Sequence, residues 1–247
     1  MAMSKIATIA GVLASASLVA GHGYVTKMTI DGEEYGGWLA DSYYYQDDPP
    51  DSYGWSTTVT DNGFVSPDAY GDADIICHRG ATPAALSAPV TAGGKIDVTW
   101  NTWPESHKGP IINYLAKCSG DCANADKESL EWVKIQADAF TDASTNTWIT
   151  DDMIENSYTS SVTIPASIEP GNYVLRHEII ALHSAGQENG AQNYPQCLNL
   201  VVSGDGSASP SGTLATSFYT PTDDGIMFDI YSGATTYPMP GPELYSA

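Results

Sequence analysis

The chain has 247 residues, with 30 acidic side chains against 9 basic ones and a formal net charge of −21. That balance repels phosphate backbones and excludes nucleic acid as a partner, while leaving a neutral polymer acceptable. No apolar run approaches the about 20 residues of a membrane span, so no membrane association is expected.

The first 21 residues read as a secretory signal peptide. Lys5 supplies the basic start, Ile6 to Val19 the apolar centre, and Val19 and Gly21 the small residues before a cut at His22. Removing Lys5 and no acidic residue leaves a secreted chain of charge −22. Residues 22–247 suffice for one catalytic or binding domain with its own core.

Strand patterns dominate that domain. "GYVTKMTIDGEEY" reads as two strands joined at Asp31-Gly32, a hairpin dipeptide. A long segment rich in Gly, Pro, Asp and Tyr follows from Asp41 to Gly71, opening on "DSYYYQDDPPDSYGW". In "KIDVTWN" Ile96, Val98 and Trp100 alternate with Asp97, Thr99 and Asn101, the period of a half-buried strand. "DKESLEWVKIQA" begins with helical spacing, but "EWVKIQADAF" alternates, so most of it is expected to be strand. "SSVTIPASIEPGNYVLRHEIIALH" holds one strand, a turn at Pro170–Gly171, and a long strand from Asn172. "QCLNLVVSG", residues 196–204, is a further strand, and a loop-rich tail runs from Ser203 to Ala247. Short strands, long loops and little helix predict an all-β fold, an immunoglobulin- or fibronectin III-like β-sandwich whose loops carry the function. No Asn-x-Ser/Thr sequon, internal repeat or linker occurs.

The four cysteines allow three pairings. Cys118 and Cys122 flank the turn-forming "SGD", which favours their union and leaves Cys77 with Cys197. The second bridge would close a loop of about 120 residues and stabilise by about 4–5 kcal/mol in the chain-entropy model. A zinc site is the alternative, with no histidine beside the Cys-x3-Cys pair.

The five histidines, His22, His78, His107, His177 and His183, show no short metal-binding spacing. His22 differs in kind. Freed by cleavage, it offers an α-amine and an imidazole nitrogen on one residue, and a second imidazole would complete three nitrogens in the tetragonal arrangement that suits Cu(II). The alternative is a cut that merely falls before a histidine. His78, between Cys77 and Arg79, and His177 read as structural. Arg176 and Glu178 read as a core ion pair, and Trp38, Trp100, Trp103, Trp132 and Trp148 as core, with Trp55 open.

"HGYV", "DGEEYGG", "DIICHRGA", "WPESHKGPIINYLAKC", "GNYVLRHEIIALHSA", "GAQNYPQCLNL" and "YPMPGPELY" occur in this order from His22 almost to the last residue. In these the chain resembles the fungal lytic polysaccharide monooxygenases of auxiliary-activity family 9, formerly glycoside hydrolase family 61. The resemblance implies one copper ion cycling between Cu(II) and Cu(I), O2 or H2O2 as co-substrate, and an external electron donor. It implies a monomer that oxidises crystalline cellulose or a related β-1,4-glucan at carbon 1 or carbon 4, with a lean to carbon 1. It places the metal on His22, His107 and Tyr194, and the groups that bond the incoming oxygen on His183 and Gln192. Tyr45 and Tyr237 would lie flat on the substrate. Two other functions compete: a non-catalytic polysaccharide- or copper-binding protein, and a glycoside hydrolase using two of the many carboxylates.

Overall fold

Residues 22–246 are described in a computed structural model, and the leader lies outside them. The alternation in residues 95–100 is realised as a strand whose Ile96, Val98 and Trp100 are buried while Lys95 stays exposed. In chain order the strands are β1 (Val25–Ile30), β2 (Glu33–Gly36), β3 (Ala88–Thr91), β4 (Lys95–Trp100), β5 (Ile111–Lys117) and β6 (Glu131–Asp138). There follow β7 (Phe140–Asp142), β8 (Thr147–Trp148), β9 (Thr159–Thr163), β10 (Gly171–Ala181), β11 (Gln192–Ser203) and β12 (Thr213–Leu214).

They form a four-stranded sheet in the order β2-β1-β4-β9, a six-stranded sheet β12-β6-β5-β10-β11-β3, and the small hairpin β7-β8. The two larger sheets make the expected sandwich. Met28, Ile96, Val98 and Trp100 of the smaller sheet share one core with Leu115, Leu175, Ile179, Tyr194 and Leu200 of the larger. The outer face of the larger sheet carries a second core, where Ile112, Tyr114, Val174 and Ile180 meet Ile75, Ile76, Trp148, Phe218 and Ile226 from the long loops. A sheet covered on both faces explains why β10 shows no clean alternation: all its residues from Tyr173 to Ala181 are buried.

Asp31 and Gly32 both take positive φ, 52° and 86°, as a two-residue primed hairpin turn requires. Residues 127–129 form a single 3-10 turn before β6, which reconciles the helical start of that stretch with its later alternation. The sequence reading began a strand at Gln196, but β11 begins four residues earlier, at Gln192, paired against Ala181 at the end of β10. Two short helices, α1 (Asp74–Cys77) and α2 (Ile149–Glu155), lie in the connections. Both expected bridges form, Cys77–Cys197 and Cys118–Cys122. Trp55 is buried, its Nε1 donating to Asn199 Oδ1 at 2.7 Å.

Candidate metal centre

His22 is placed by the residues that follow it. Gly23 lies so close to the turn after β4 that a Cβ there would sit 2.1 Å from the Thr102 carbonyl oxygen. Tyr24 donates its backbone N–H to Asn101 Oδ1 at 2.9 Å and accepts from the Asn101 backbone N–H at 3.1 Å. The start of the domain is thus stitched to the end of β4, and the His22 ring is left half-buried at the end of the sandwich.

His107 sits in the connection between β4 and β5. Its backbone N–H donates to Pro104 O at 3.0 Å, and its carbonyl accepts from Trp103 Nε1 at 2.9 Å. The next residues are zipped onto the end of β10. Leu182 N–H donates to Lys108 O at 2.9 Å, Ile180 N–H donates to Pro110 O at 3.2 Å, and a Cβ on Gly109 would fall 1.8 Å from Ile180 O. Only glycine permits that approach. It sets the His107 ring beside the His183 ring, just past β10, with centroids 3.9 Å apart.

The His22 and His107 rings lie 4.8 Å apart at 66°. Tyr194, fully buried on β11, stacks on His22 at 5.3 Å. Its hydroxyl donates to Gln192 Oε1 at 2.7 Å, and Gln192 is among the groups that act on the His22 ring. His22, His107, Tyr194, His183 and Gln192, widely separated in sequence, are therefore one cluster.

The electrostatics suit a cation bound through neutral donors. Burial, with His183 and His22 alongside, pushes the His107 pKa down to about 3. Burial also lowers His22, and burial together with His22 lowers His183. Burial raises Tyr194 far above the usual phenol range, so it remains protonated. His107 Nδ1 is engaged with Ser106 Oγ at 3.0 Å, whereas its Nε2 is buried without a hydrogen-bond partner, as is His183 Nδ1. A buried lone pair with no donor facing it fits a metal ligand. Among the described residues no three or more His, Cys, Asp or Glu side chains are grouped to hold an ion. A freed His22 amine would add a nitrogen donor to the His22 and His107 rings. Copper fits this set of nitrogens and one phenol oxygen better than calcium or magnesium, which take oxygen ligands.

The three-tyrosine run divides. Tyr43 packs on Trp38 at 5.4 Å, while Tyr44 and Tyr45 are exposed, Tyr45 at 70%. Tyr237, which the resemblance lays on the substrate, is half-buried. Its ring packs against Phe228 at 5.0 Å and Trp148 at 5.2 Å, and its hydroxyl donates to Gly225 O at 2.5 Å. Tyr231, missed in the sequence, is 70% exposed. Its backbone N–H is held by Asp229, whose side chain abuts Gly186 just beyond His183. The turn-forming Ser232-Gly233 after Tyr231 is the signal that marks it as exposed.

His78 is buried at positive φ and accepts from the Arg79 backbone N–H through Nδ1 at 2.9 Å, a structural role. His177 lies in the core, Nε2 accepting from Trp100 Nε1 at 3.1 Å and Nδ1 bonded to Asn113 Oδ1 at 2.7 Å.

Comparison with known proteins identifies the family. The model of Auxiliary Activity family 9 (formerly GH61) matches residues 22–237, opening on His22. AA9 family lytic polysaccharide monooxygenase F of Emericella nidulans is 81% identical over the whole of both chains, and monooxygenase E of Aspergillus tamarii 58% identical, again over both. Among solved structures, the extended catalytic domain of H. jecorina LPMO9A superposes with a TM-score of 0.88 at 48% identity, covering 91% of each chain. Cel61B of Hypocrea jecorina gives 0.87 at 44%, covering 91% of this chain and all of that one. The chain belongs to Auxiliary Activity family 9 and is a lytic polysaccharide monooxygenase, an oxidoreductase that cleaves polysaccharide oxidatively.

Proposed function

We propose that the protein is secreted, cut before His22, and oxidises β-1,4-glucan, cellulose above all, with one copper ion held by His22, His107 and Tyr194. The observation that carries this reading is the buried, unpartnered Nε2 of His107 opposite the ring of His22, the residue on which the family match opens.

Bound there, copper supplies one-electron chemistry between Cu(II) and Cu(I) toward dioxygen or hydrogen peroxide. The chain's residues do the rest. Ser106 occupies Nδ1 of His107 and so directs Nε2 to the ion. Tyr194, kept a neutral phenol by burial, is a weak donor, and Gln192 orients it through the 2.7 Å bond. His183, neutral and with Nδ1 unpartnered, can hold or pass a proton beside His107. Tyr45 and Tyr231 offer exposed rings for the apolar faces of glucosyl units.

With dioxygen, the net conversion takes a C–H bond, O2, two electrons from an external donor and two protons to C–OH and water. At carbon 1, the favoured position, the new hydroxyl then loses its proton as the glycosidic C–O bond breaks. The departing chain takes up a proton, and a lactone remains.

Mass spectrometry of the secreted protein and of its products on cellulose, with copper and ascorbate, tests the proposal. The expected result is an N-terminal His22 and oxidised oligosaccharides that vanish with EDTA. A different mature start removes the amine ligand and overturns the site. Tight copper binding without oxidised products would make this chain a carrier, and products that persist in EDTA without oxidised ends would make it a hydrolase.

A further inference from the structure

We propose that Asn101 is a positioning residue of the metal centre: its side-chain carbonyl and backbone N–H clamp the peptide that follows His22 and so fix where His22 meets His107. The inference rests on the copper reading above.

Asn101 is the first residue past β4, and it grips both polar groups of Tyr24. Its Oδ1 accepts from the Tyr24 N–H at 2.9 Å, and its own N–H donates to the Tyr24 carbonyl at 3.1 Å. Between Tyr24 and His22 lies only Gly23, which is pressed on the same turn: a Cβ there would stand 2.8 Å from Asn101 Oδ1 and 2.1 Å from Thr102 O. One residue further on, Val25 N–H reaches Gln196 Oε1 at 3.3 Å, and Gln196 lies two places after Tyr194 on β11. On its other side Asn101 leads through Thr102 to Trp103, whose indole N–H holds the His107 carbonyl at 2.9 Å. Asn101 therefore stands where the two histidine-bearing segments touch. A mature chain that begins at His22 has no preceding residue to anchor it, and a free terminus frays unless something ties it down. The geometry assigns that task to Asn101. A clamped arm lets the amine and both imidazoles meet the ion without first being ordered, which is the usual source of tight binding by a small ligand set.

The Asn101 side chain is itself exposed, so replacing it leaves both cores intact. In the mature protein, Asn101→Leu keeps the size and removes the acceptor, while Asn101→Asp keeps an acceptor oxygen in place. Asn101→Leu is expected to raise the Kd for Cu(II) by about tenfold and to broaden the Cu(II) EPR spectrum, with Asn101→Asp close to wild type. Gly23→Ala, which pushes the arm off the turn with Asn101 unchanged, is expected to resemble Asn101→Leu. A role confined to stability would lower the melting temperature of the metal-free variants and leave Kd and spectrum as they were, which overturns the proposal. Equal weakening by Leu and Asp would also overturn it. Hydrogen exchange at the Tyr24 amide in metal-free protein separates the clamp from the copper reading. Exchange at least tenfold faster in Asn101→Leu supports the clamp, and unchanged exchange sinks it whatever the metal does. Failure of the wild type to bind copper sinks only the reading on which the metal consequence rests.

Discussion

The rings of His107 and His183 lie with centroids 3.9 Å apart, one on a loop fastened to β10 and the other just past the end of that strand. His107 Nδ1 is bonded to Ser106, so the two unpartnered buried nitrogens of this pair are His107 Nε2 and His183 Nδ1. The first suits a metal ligand and the second a proton carrier. His183→Ala should therefore keep Cu(II) affinity within a few-fold while oxidative turnover falls by about 10²-fold or more, the usual worth of a positioned acid–base group. Isothermal titration and product quantification on cellulose separate the two effects. A variant that loses copper as readily as turnover would mean that His183 acts only by shaping His107.

Much of this arrangement is legible in sequence because it rests on local pattern. Residues 95–100 alternate because one face of β4 meets the other sheet and its opposite face is partly open to water. The same rule is silent on β10, which is buried on both faces, and it misplaces the start of β11 because Gln192 and Asn193 look like loop residues. The polarity of Asn193 is absorbed by partners far away in sequence: it donates to Glu178 at 2.8 Å and accepts from Tyr70 at 2.6 Å. Helix α2 is short and set by a capping contact, the Trp148 backbone N–H donating to Asp151 Oδ2 at 2.8 Å, rather than by periodicity. Tyr237 and Tyr231 could not be told apart by residue type, since the partial burial of Tyr237 against Trp148 and Phe228 is a property of the fold.

The Arg176–Glu178 pair was readable as an ion pair, but not its surroundings. Both side chains are fully buried, and Glu178 accepts two bonds from Arg176, at 2.7 and 2.9 Å, with further bonds from Asn193 and Tyr219. Arg176 also donates to the carbonyls of Ile75 and Ile76, tying α1 to β10 beneath the outer core. Glu178→Ala leaves a buried guanidinium uncompensated and should cost about 3–5 kcal/mol in denaturant unfolding of the metal-free protein. Arg176→Met with Glu178→Leu together should recover most of that loss. If the double variant is as unstable as Glu178→Ala, the carbonyl contacts of Arg176 matter more than its charge.

His177 carries a pH dependence with a definite sign. Trp100 donates to its Nε2, so Nδ1 must carry the proton it shares with Asn113, and the ring is satisfied only when neutral. Burial lowers its pKa to about 3. The unfolded chain, with a histidine pKa of about 6.5, binds a proton that the folded chain refuses. The stabilisation is complete above pH about 6.5 and is lost as pH falls toward 3, at up to about 1.4 kcal/mol per pH unit. His177→Gln should be less stable at pH 7.5 and should flatten this part of the stability–pH curve. A variant with the wild-type slope between pH 6 and 4 would assign the dependence to His78 and His107, whose burial lowers them likewise.

The proposed tyrosine platform for the polysaccharide is testable by substitution. Tyr45 and Tyr231 are each 70% exposed. Tyr45 lies in the short 3-10 turn Tyr43–Tyr45, whose first ring packs on Trp38 at 5.4 Å. The Tyr231 loop is held by Asp229, which accepts from the Tyr231 backbone N–H at 2.9 Å and would stand 3.4 Å from a Cβ on Gly186, beyond His183. Tyr45→Ala and Tyr231→Ala should each weaken binding to crystalline cellulose several-fold and leave the melting temperature within a degree or two, as exposed substitutions usually do. Tyr237→Phe should behave in the opposite way. Losing the bond to Gly225 O should cost about 1 kcal/mol of stability, with cellulose binding unchanged. Pull-down isotherms beside thermal melts of the three variants make the comparison. Weakened binding in Tyr237→Phe, with Tyr231→Ala unaffected, would return the platform to Tyr237.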